Sequence, residues 1–341
     1  MGINRRSLLK FSAYSGAASL ATGLGLVKSP LARAAQPQTL MMQLDWVYNV
    51  QFAGLLLADH LGLYEQSGLT VAIKPWASGM VVPEEVVKNP MMIGCSEQNL
   101  ILEAQAQGAP LKAIATMFQA SPYALMAMPD SGIRTLSDLV GKKVGIHVDG
   151  IKVMELVKGV NNLPPDAIEV VEIPYENKLD RLVSGEFAAI QCYAVDEPIA
   201  FQQKVGAEPT LLPMDEYGYK AYAQVFFTTD TVLQEAPEQV KRFLAASFEG
   251  WQRAFADIPA TAKLIAETYA EKGSKYTNVE YQQQSLELVK QYVMRGIGEA
   301  QLGTILPEQW QQTADLMAQY DIIDASPTVQ KSLDLSLWSA T

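Results

Sequence analysis

Between Thr39 and Val71 the chain reads as a strand, a polar and aromatic loop, a short apolar helix and a second strand, and no other stretch constrains the fold as tightly. Thr39 to Leu44 is apolar enough for a buried strand, and Phe52 to Leu61 carries apolar residues at helical spacing. The loop between them holds Trp46, Tyr48, Asn49 and Gln51. In an open α/β sheet, ligands bind at such a loop, because backbone N–H groups and the next helix N-terminus converge at a strand's C-terminal end.

The alternation continues along the chain. Met91-Met92-Ile93-Gly94 reads as a short buried strand, with Ser96 as N-cap of a helix over 97–107 that closes at Gly108. Leu111 to Phe118, Tyr123 to Met128, Lys143 to His147, Glu169 to Ile173 and Ala188 to Cys192 read as strands, interleaved with helices over 151–160, over 177–184 and from near Pro198. This order predicts an α/β fold with mainly parallel sheets and helices on both faces. Tyr222 to Thr228 is the last strand expected. Long amphipathic helices follow over 237–256, 260–272, 279–295 and 307–319, with Pro237, Pro259 and Pro307 at or near helix starts, where a missing N–H costs little.

Asn4-Arg5-Arg6-Ser7-Leu8-Leu9-Lys10 has the form of a twin-arginine export signal, followed by an uncharged run from Phe11 to Val27 and a small-x-small site at Ala32-Arg33-Ala34. The run is diluted by Gly16, Gly23 and Gly25 and falls short of a comfortable span of roughly 20 residues, so cleavage near Ala34/Ala35 and a free periplasmic protein are expected. The whole chain carries a net charge of −11, and loss of residues 1–35 leaves 21 basic against 37 acidic residues, a net −16. Such acidity excludes nucleic acid and anionic membranes as partners. His60 and His147 stand without neighbouring ligands, so no zinc site is expected, and no cofactor is called for. Gly141-Lys142-Lys143 lacks the spacing of a phosphate-binding loop, and no Gly-x-Ser-x-Gly motif occurs.

Several segments carry a family likeness. They are Leu44-Asp45-Trp46 with Gln51-Phe52-Ala53-Gly54, then Gly108-Ala109-Pro110-Leu111, Asp138-Leu139-Val140-Gly141-Lys142-Lys143-Val144-Gly145, Glu197-Pro198, and Pro237 to Leu244 with Gly250-Trp251. Together they resemble the thiamine-pyrimidine-binding family of solute-binding proteins, in the branch that includes binders of thiamine pyrimidines and riboflavin precursors. The sequence departs from the pyrimidine binders at Tyr48, where Pro is frequent, and at Phe52, where His often stands. The family's pyrimidine synthase branch has a Cys-rich motif, whereas this chain has only the isolated Cys95 and Cys192, so no enzyme is expected. The pattern suits a two-lobed type II periplasmic binding protein, with residues 36–121 plus 222–341 as one lobe and 122–221 as the other. Cys95 and Cys192 then fall in different lobes and are expected to remain free thiols.

The candidate ligand residues follow from this arrangement. Trp46 and Tyr193 lie at the ends of strands in opposite lobes, suited to facing one another across a planar guest. Asn49 and Gln51 suit ring nitrogens or carbonyls, and Ser96, Glu97 and His147 occupy strand-to-helix loops. Gln119 and Ser121 stand at the first crossing between lobes. Glu197 reads as a helix cap, and the resemblance implies that it accepts hydrogen bonds from an amino group on a pyrimidine. Trp76 and Tyr217 are weaker candidates. The expected function is the receptor of an ABC importer, a monomer that delivers a pyrimidine-like small molecule to a permease and ATPase complex. A small oxyanion as ligand, or a role as a sensor domain, is the alternative.

Overall fold

The structure, a computed structural model, describes residues 39–338, so the export signal expected over 1–35 lies outside the described residues. The strands are β1 (Leu40–Gln43), β2 (Val71–Lys74), β3 (Met92–Ser96), β4 (Leu111–Phe118), β5 (Tyr123–Ala127), β6 (Lys143–Ile146), β7 (Glu169–Glu172), β8 (Ala189–Tyr193), β9 (Thr210–Pro213) and β10 (Ala223–Thr229). They form two five-stranded sheets, in the orders β2-β1-β3-β10-β4 and β7-β6-β8-β5-β9.

Both sheets are mixed, with as many antiparallel as parallel pairings, rather than mainly parallel as the strand–helix alternation predicts. β1 runs parallel to β2 and β3, while β10 runs antiparallel to β3 and β4. In the second sheet β6 runs parallel to β7 and β8, while β5 runs antiparallel to β8 and β9. The reversed strand in each sheet is the first one the chain makes after crossing from the other. The crossings are bonded to one another, with the Ser121 N–H donating to the Ala221 carbonyl at 2.8 Å.

The C-terminal helices cover the first sheet. Phe226 of β10 points into the same core as Val240, Phe243, Leu244 and Trp251 of the helix Pro237–Ala256, while Val225 and Phe227 point into a second core on the opposite face. That period-2 alternation puts apolar residues on both faces of a central strand, which is why Val225, Phe226 and Phe227 are apolar in succession. The helix Pro237–Ala256 lies against Ala53–His60 at a glycine pair. A Cβ on Gly250 would sit 2.0 Å from the Gly54 carbonyl oxygen, and one on Gly54 would sit 2.3 Å from the Trp251 ring. Gly250→Ala is therefore expected to destabilise the fold by about 3 kcal/mol, since backbone rather than a movable side chain must yield. Urea unfolding checks this as a lower midpoint at unchanged slope.

Two local expectations need correcting. Ser96 is not a helix N-cap but the last residue of β3, paired opposite Val225. The cap position of the helix Gln98–Ala106 is Glu97, whose side chain makes no capping bond. Glu197 is likewise the first helical residue, not the cap, which is Asp196.

Candidate functional site

A cavity of about 640 Å³ opens where the C-terminal ends of β1, β3, β6 and β8 converge. Loops after β1 and β2 bring Trp46 and Trp76 together as a stack, with ring centroids 5.3 Å apart and planes at 22°. The loop after β7 brings Tyr175 of the second sheet against Trp46 at 5.0 Å, and Tyr175 in turn lies on the His147 ring at 4.3 Å and 27°. Four rings from both sheets thus form one continuous aromatic wall. Such offset pairs add roughly 0.5–1.5 kcal/mol each beyond their burial.

The Trp46 indole is held from behind. Its Nε1 donates to the Tyr276 hydroxyl at 3.0 Å, and that hydroxyl donates to Asp196 Oδ2 at 2.8 Å. Asp196 also accepts from Lys275 Nζ at 2.8 Å and from the Tyr281 hydroxyl. Asp196 follows β8 of the second sheet, whereas Trp46, Lys275, Tyr276 and Tyr281 belong to segments packed on the first, so this network spans the cleft.

Acids line the same cavity. Burial pushes the Asp45 carboxyl up to about 7, with the nearby Asp149 charge adding to the shift and the Gln224 amide opposing it. Burial pushes Glu97 up to about 8, reinforced by Asp45 and Asp149 and opposed by hydrogen bonds from Tyr193 and Ser121. The Tyr193 hydroxyl lies 2.6 Å from Glu97 Oε1 and the Ser121 hydroxyl 3.1 Å from Oε2. The Tyr123 hydroxyl donates to Asp149, and Gln191 Nε2 lies 3.4 Å from its other oxygen.

The cations facing the cavity are paired, among the described residues. Lys178 Nζ forms an ion pair with Glu197 and lies 3.0 Å from His147 Nε2; Lys152 Nζ is 2.7 Å from Glu103 Oε2. An ammonium only donates, so His147 Nε2 accepts and Nδ1 carries the hydrogen, which it donates to the Ile173 carbonyl at 3.1 Å. Burial and the Lys178 charge hold the imidazole's pKa below its usual value. Glu197 also accepts from the Tyr193 N–H at 2.7 Å. Burial acts to raise its pKa, but Lys178, Lys275 and these hydrogen bonds outweigh it and hold the carboxyl well below its usual range.

Of the residues singled out from the sequence, Trp46, Gln51, Ser96, Glu97, His147, Tyr193 and Glu197 line the cavity. Asn49 does not. Its amide closes a turn, accepting from the Gln51 N–H at 2.7 Å and donating to the Val47 carbonyl at 2.9 Å. Gln119 points to the Thr304 carbonyl at 3.1 Å, and Ser121 stands behind Glu97. Trp46 and Tyr193 do not form a facing pair; the ring that meets Trp46 from the second sheet is Tyr175, and Tyr193 packs edge-on to Tyr123 at 5.7 Å. Trp76 lines the cavity and Tyr217 does not.

Asp45, Asp149, Tyr175, Lys178, Gln191, Asp196 and Gln224 also line it and were not singled out. Two of them left a signal in the sequence. Gln191 and Gln224 are lone polar residues within apolar strands, in Ala-Ile-Gln-Cys-Tyr and Ala-Gln-Val-Phe-Phe. Both are buried, and Gln224 adopts φ +51°, a left-handed conformation inside a strand. Cys95 and Cys192 are buried free thiols.

A sequence model described as NMT1/THI5 like matches residues 49–262. The chain belongs to this family. Relatives in and around the NMT1/THI5-like family differ in what their names claim. The 4-amino-5-hydroxymethyl-2-methylpyrimidine phosphate synthase of Legionella pneumophila is 27% identical over 231 residues, covering 64% of this chain and 70% of the relative. The riboflavin-binding protein RibY of Chloroflexus aurantiacus is 23% identical over 314 residues, covering 87% and 86%. Among solved structures, the alkanesulfonate-binding protein SsuA from Xanthomonas axonopodis pv. citri, bound to MOPS, superposes with a TM-score of 0.66 at 16% identity, covering 89% of this chain and all of that one. This NMT1/THI5-like chain therefore has the two-lobed α/β fold of periplasmic binding proteins.

Proposed function

We propose that this protein is the extracytoplasmic solute receptor of an ABC importer, and that it captures a nitrogen heterocycle related to the thiamine pyrimidine. The observation that carries this reading is the pairing of an aromatic wall, Trp76–Trp46–Tyr175–His147, with the buried Glu97 and the half-buried Asp45 and Asp149 in one cleft. Flat rings stack on such a wall, and ring amino groups and protonated ring nitrogens donate to carboxyl oxygens. The names of the Legionella and Chloroflexus relatives point to ligands of this kind. The pairing of the cations argues against a sulfonate or other oxyanion, because both lining lysines already have carboxylate partners and offer a bound anion no free counter-charge.

Capture works by closure. Residues 122–221 move as one lobe against the rest, and bonds such as Tyr193 to Glu97 and Lys275 to Asp196 form only when the lobes meet. The reading includes export by the twin-arginine route, a monomeric receptor and a membrane permease as partner. It includes no catalysis; both ring nitrogens of His147 are already engaged, by the Ile173 carbonyl and by Lys178.

The test is a thermal-shift titration with 4-amino-5-hydroxymethyl-2-methylpyrimidine. At about one hundred times its Kd the compound should stabilise the fold by roughly 2.7 kcal/mol. Trp46→Ala should abolish that shift while the variant still unfolds cooperatively. A shift with alkanesulfonates and none with the pyrimidine would reverse the assignment.

A further inference from the structure

The cavity is arranged opposite to an ordinary protein surface. Its inner polar side chains Glu97 and Gln224 are buried, at 4% and 2% exposure, whereas its rim, which also carries Ser78 and Lys152, exposes two large apolar residues. Val81 after β2 and Val148 after β6 line it from the two sheets and are 52% and 63% exposed, high values for large apolar residues. Beside them lie Met80 and Ile151, both partly buried. Polar groups are ordinarily kept wet and apolar ones covered, so a concavity that inverts this order matches a guest with a polar inner end and an apolar outer end.

Size points the same way. About 640 Å³ falls in the middle of the range of roughly 300–1,000 Å³ that holds drug-sized ligands, and a single substituted pyrimidine would leave much of it filled only with water. Water gains little at an apolar rim, so an apolar substituent reaching that rim would gain from displacing it.

We propose that the ligand is bipartite, a nitrogenous ring seated among Asp45, Glu97 and Asp149 joined to an apolar second ring or chain that leaves the cleft between Val81 and Val148 and covers both. This deepens the reading above and rests on it. The inner end sets recognition through hydrogen bonds, and the outer end supplies area, so the valine lips act as specificity-determining residues for what the ring carries. The lips belong to opposite lobes, and an apolar group between them would also favour closure.

Isothermal calorimetry with two probes separates the outcomes. One probe is 4-amino-5-hydroxymethyl-2-methylpyrimidine and the other is its benzyl ether at the hydroxymethyl oxygen. The ether is expected to bind at least about tenfold more tightly than the alcohol. Val81→Ser with Val148→Ser, both exposed and tolerant of change, should shrink that advantage to under about threefold while leaving the alcohol's Kd unchanged. Equal binding of the two probes by the native protein, or a double variant that weakens both probes alike, overturns the bipartite ligand and leaves the pyrimidine reading standing. If neither probe binds, the pyrimidine reading falls and the bipartite proposal falls with it.

Discussion

Replacing Lys178 with methionine is expected to cost about 3–5 kcal/mol of stability at pH 7. The Lys178 side chain is 8% exposed and that of its partner Glu197 12%, and both line the cleft. Methionine fills nearly the same volume but leaves the Glu197 carboxylate buried with its main counter-charge gone, and it leaves His147 Nε2 without a donor. The pH dependence identifies the cause. In the native protein Glu197 is held below its usual range, so its contribution is present above the unfolded value of about 4.5 and is lost as pH falls through the lower folded value. Without Lys178 burial dominates and raises that carboxyl, so the variant's deficit should shrink as the pH approaches 4. Adding Glu197→Gln removes the stranded charge, and the double variant should recover most of the loss. Urea unfolding of the native protein and the two variants at pH 7 and pH 4.5 measures both effects. A deficit under about 1 kcal/mol for Lys178→Met would mean that the pair contributes no more than an exposed surface bridge.

Glu97→Gln is expected to change the stability profile in the opposite sense. Burial raises the Glu97 carboxyl from 4.5 to about 8, so the folded state holds a proton that the unfolded chain has already released. Stability from this group is complete below about pH 4.5 and is lost as pH climbs to about 8. Each unit of difference corresponds to about 1.4 kcal/mol, so between pH 5 and pH 9 the native protein should lose on the order of 4 kcal/mol relative to the glutamine variant. Glutamine retains an oxygen to accept from Tyr193 and cannot ionise, so the variant's curve should be flatter. Melting temperatures of the apo proteins across this range provide the comparison, and parallel curves would place the Glu97 carboxyl in water-like surroundings. Asp45, raised to about 7, should leave a smaller slope in the same direction in Glu97→Gln.

Much of the fold was legible in the sequence because its elements are long and strongly patterned. Leu111 to Phe118, Ile151 to Val160, Pro237 to Ala256 and Pro307 to Gln319 are elements with the bounds that the apolar spacing predicts. The elements that escaped are short. β9 (Thr210–Pro213) is an edge strand ending in proline, and its brief apolar pair looks like a loop unless its partner β5 is known. Val82–Lys88 spans about two turns, too few for a period to show.

The site was legible to the extent that a residue's own neighbours reveal its role. Trp46, Glu97 and Glu197 follow strands, and that position alone aims them at the cleft. Asp45 and Asp149 are acids in loops, indistinguishable by type from the many solvated carboxylates of so acidic a chain. What makes them unusual is that the fold brings both into one cleft with Glu97. Tyr175 was missed for the same reason that Tyr193 was mispaired with Trp46. Which ring reaches across depends on the lengths of the loops after β7 and β8, and an element pattern does not encode those lengths.

The bond between Ser121 and Ala221 joins the two passages between sheets into a two-ply ribbon. A ribbon bends readily across its flat face and resists both shear and twist about its length. In the capture proposed above, relative displacement of the two halves would be confined close to a single rotational coordinate. One angle, read from the distance between a label on the loop after β2 and another on the loop after β6, should describe every arrangement the molecule visits.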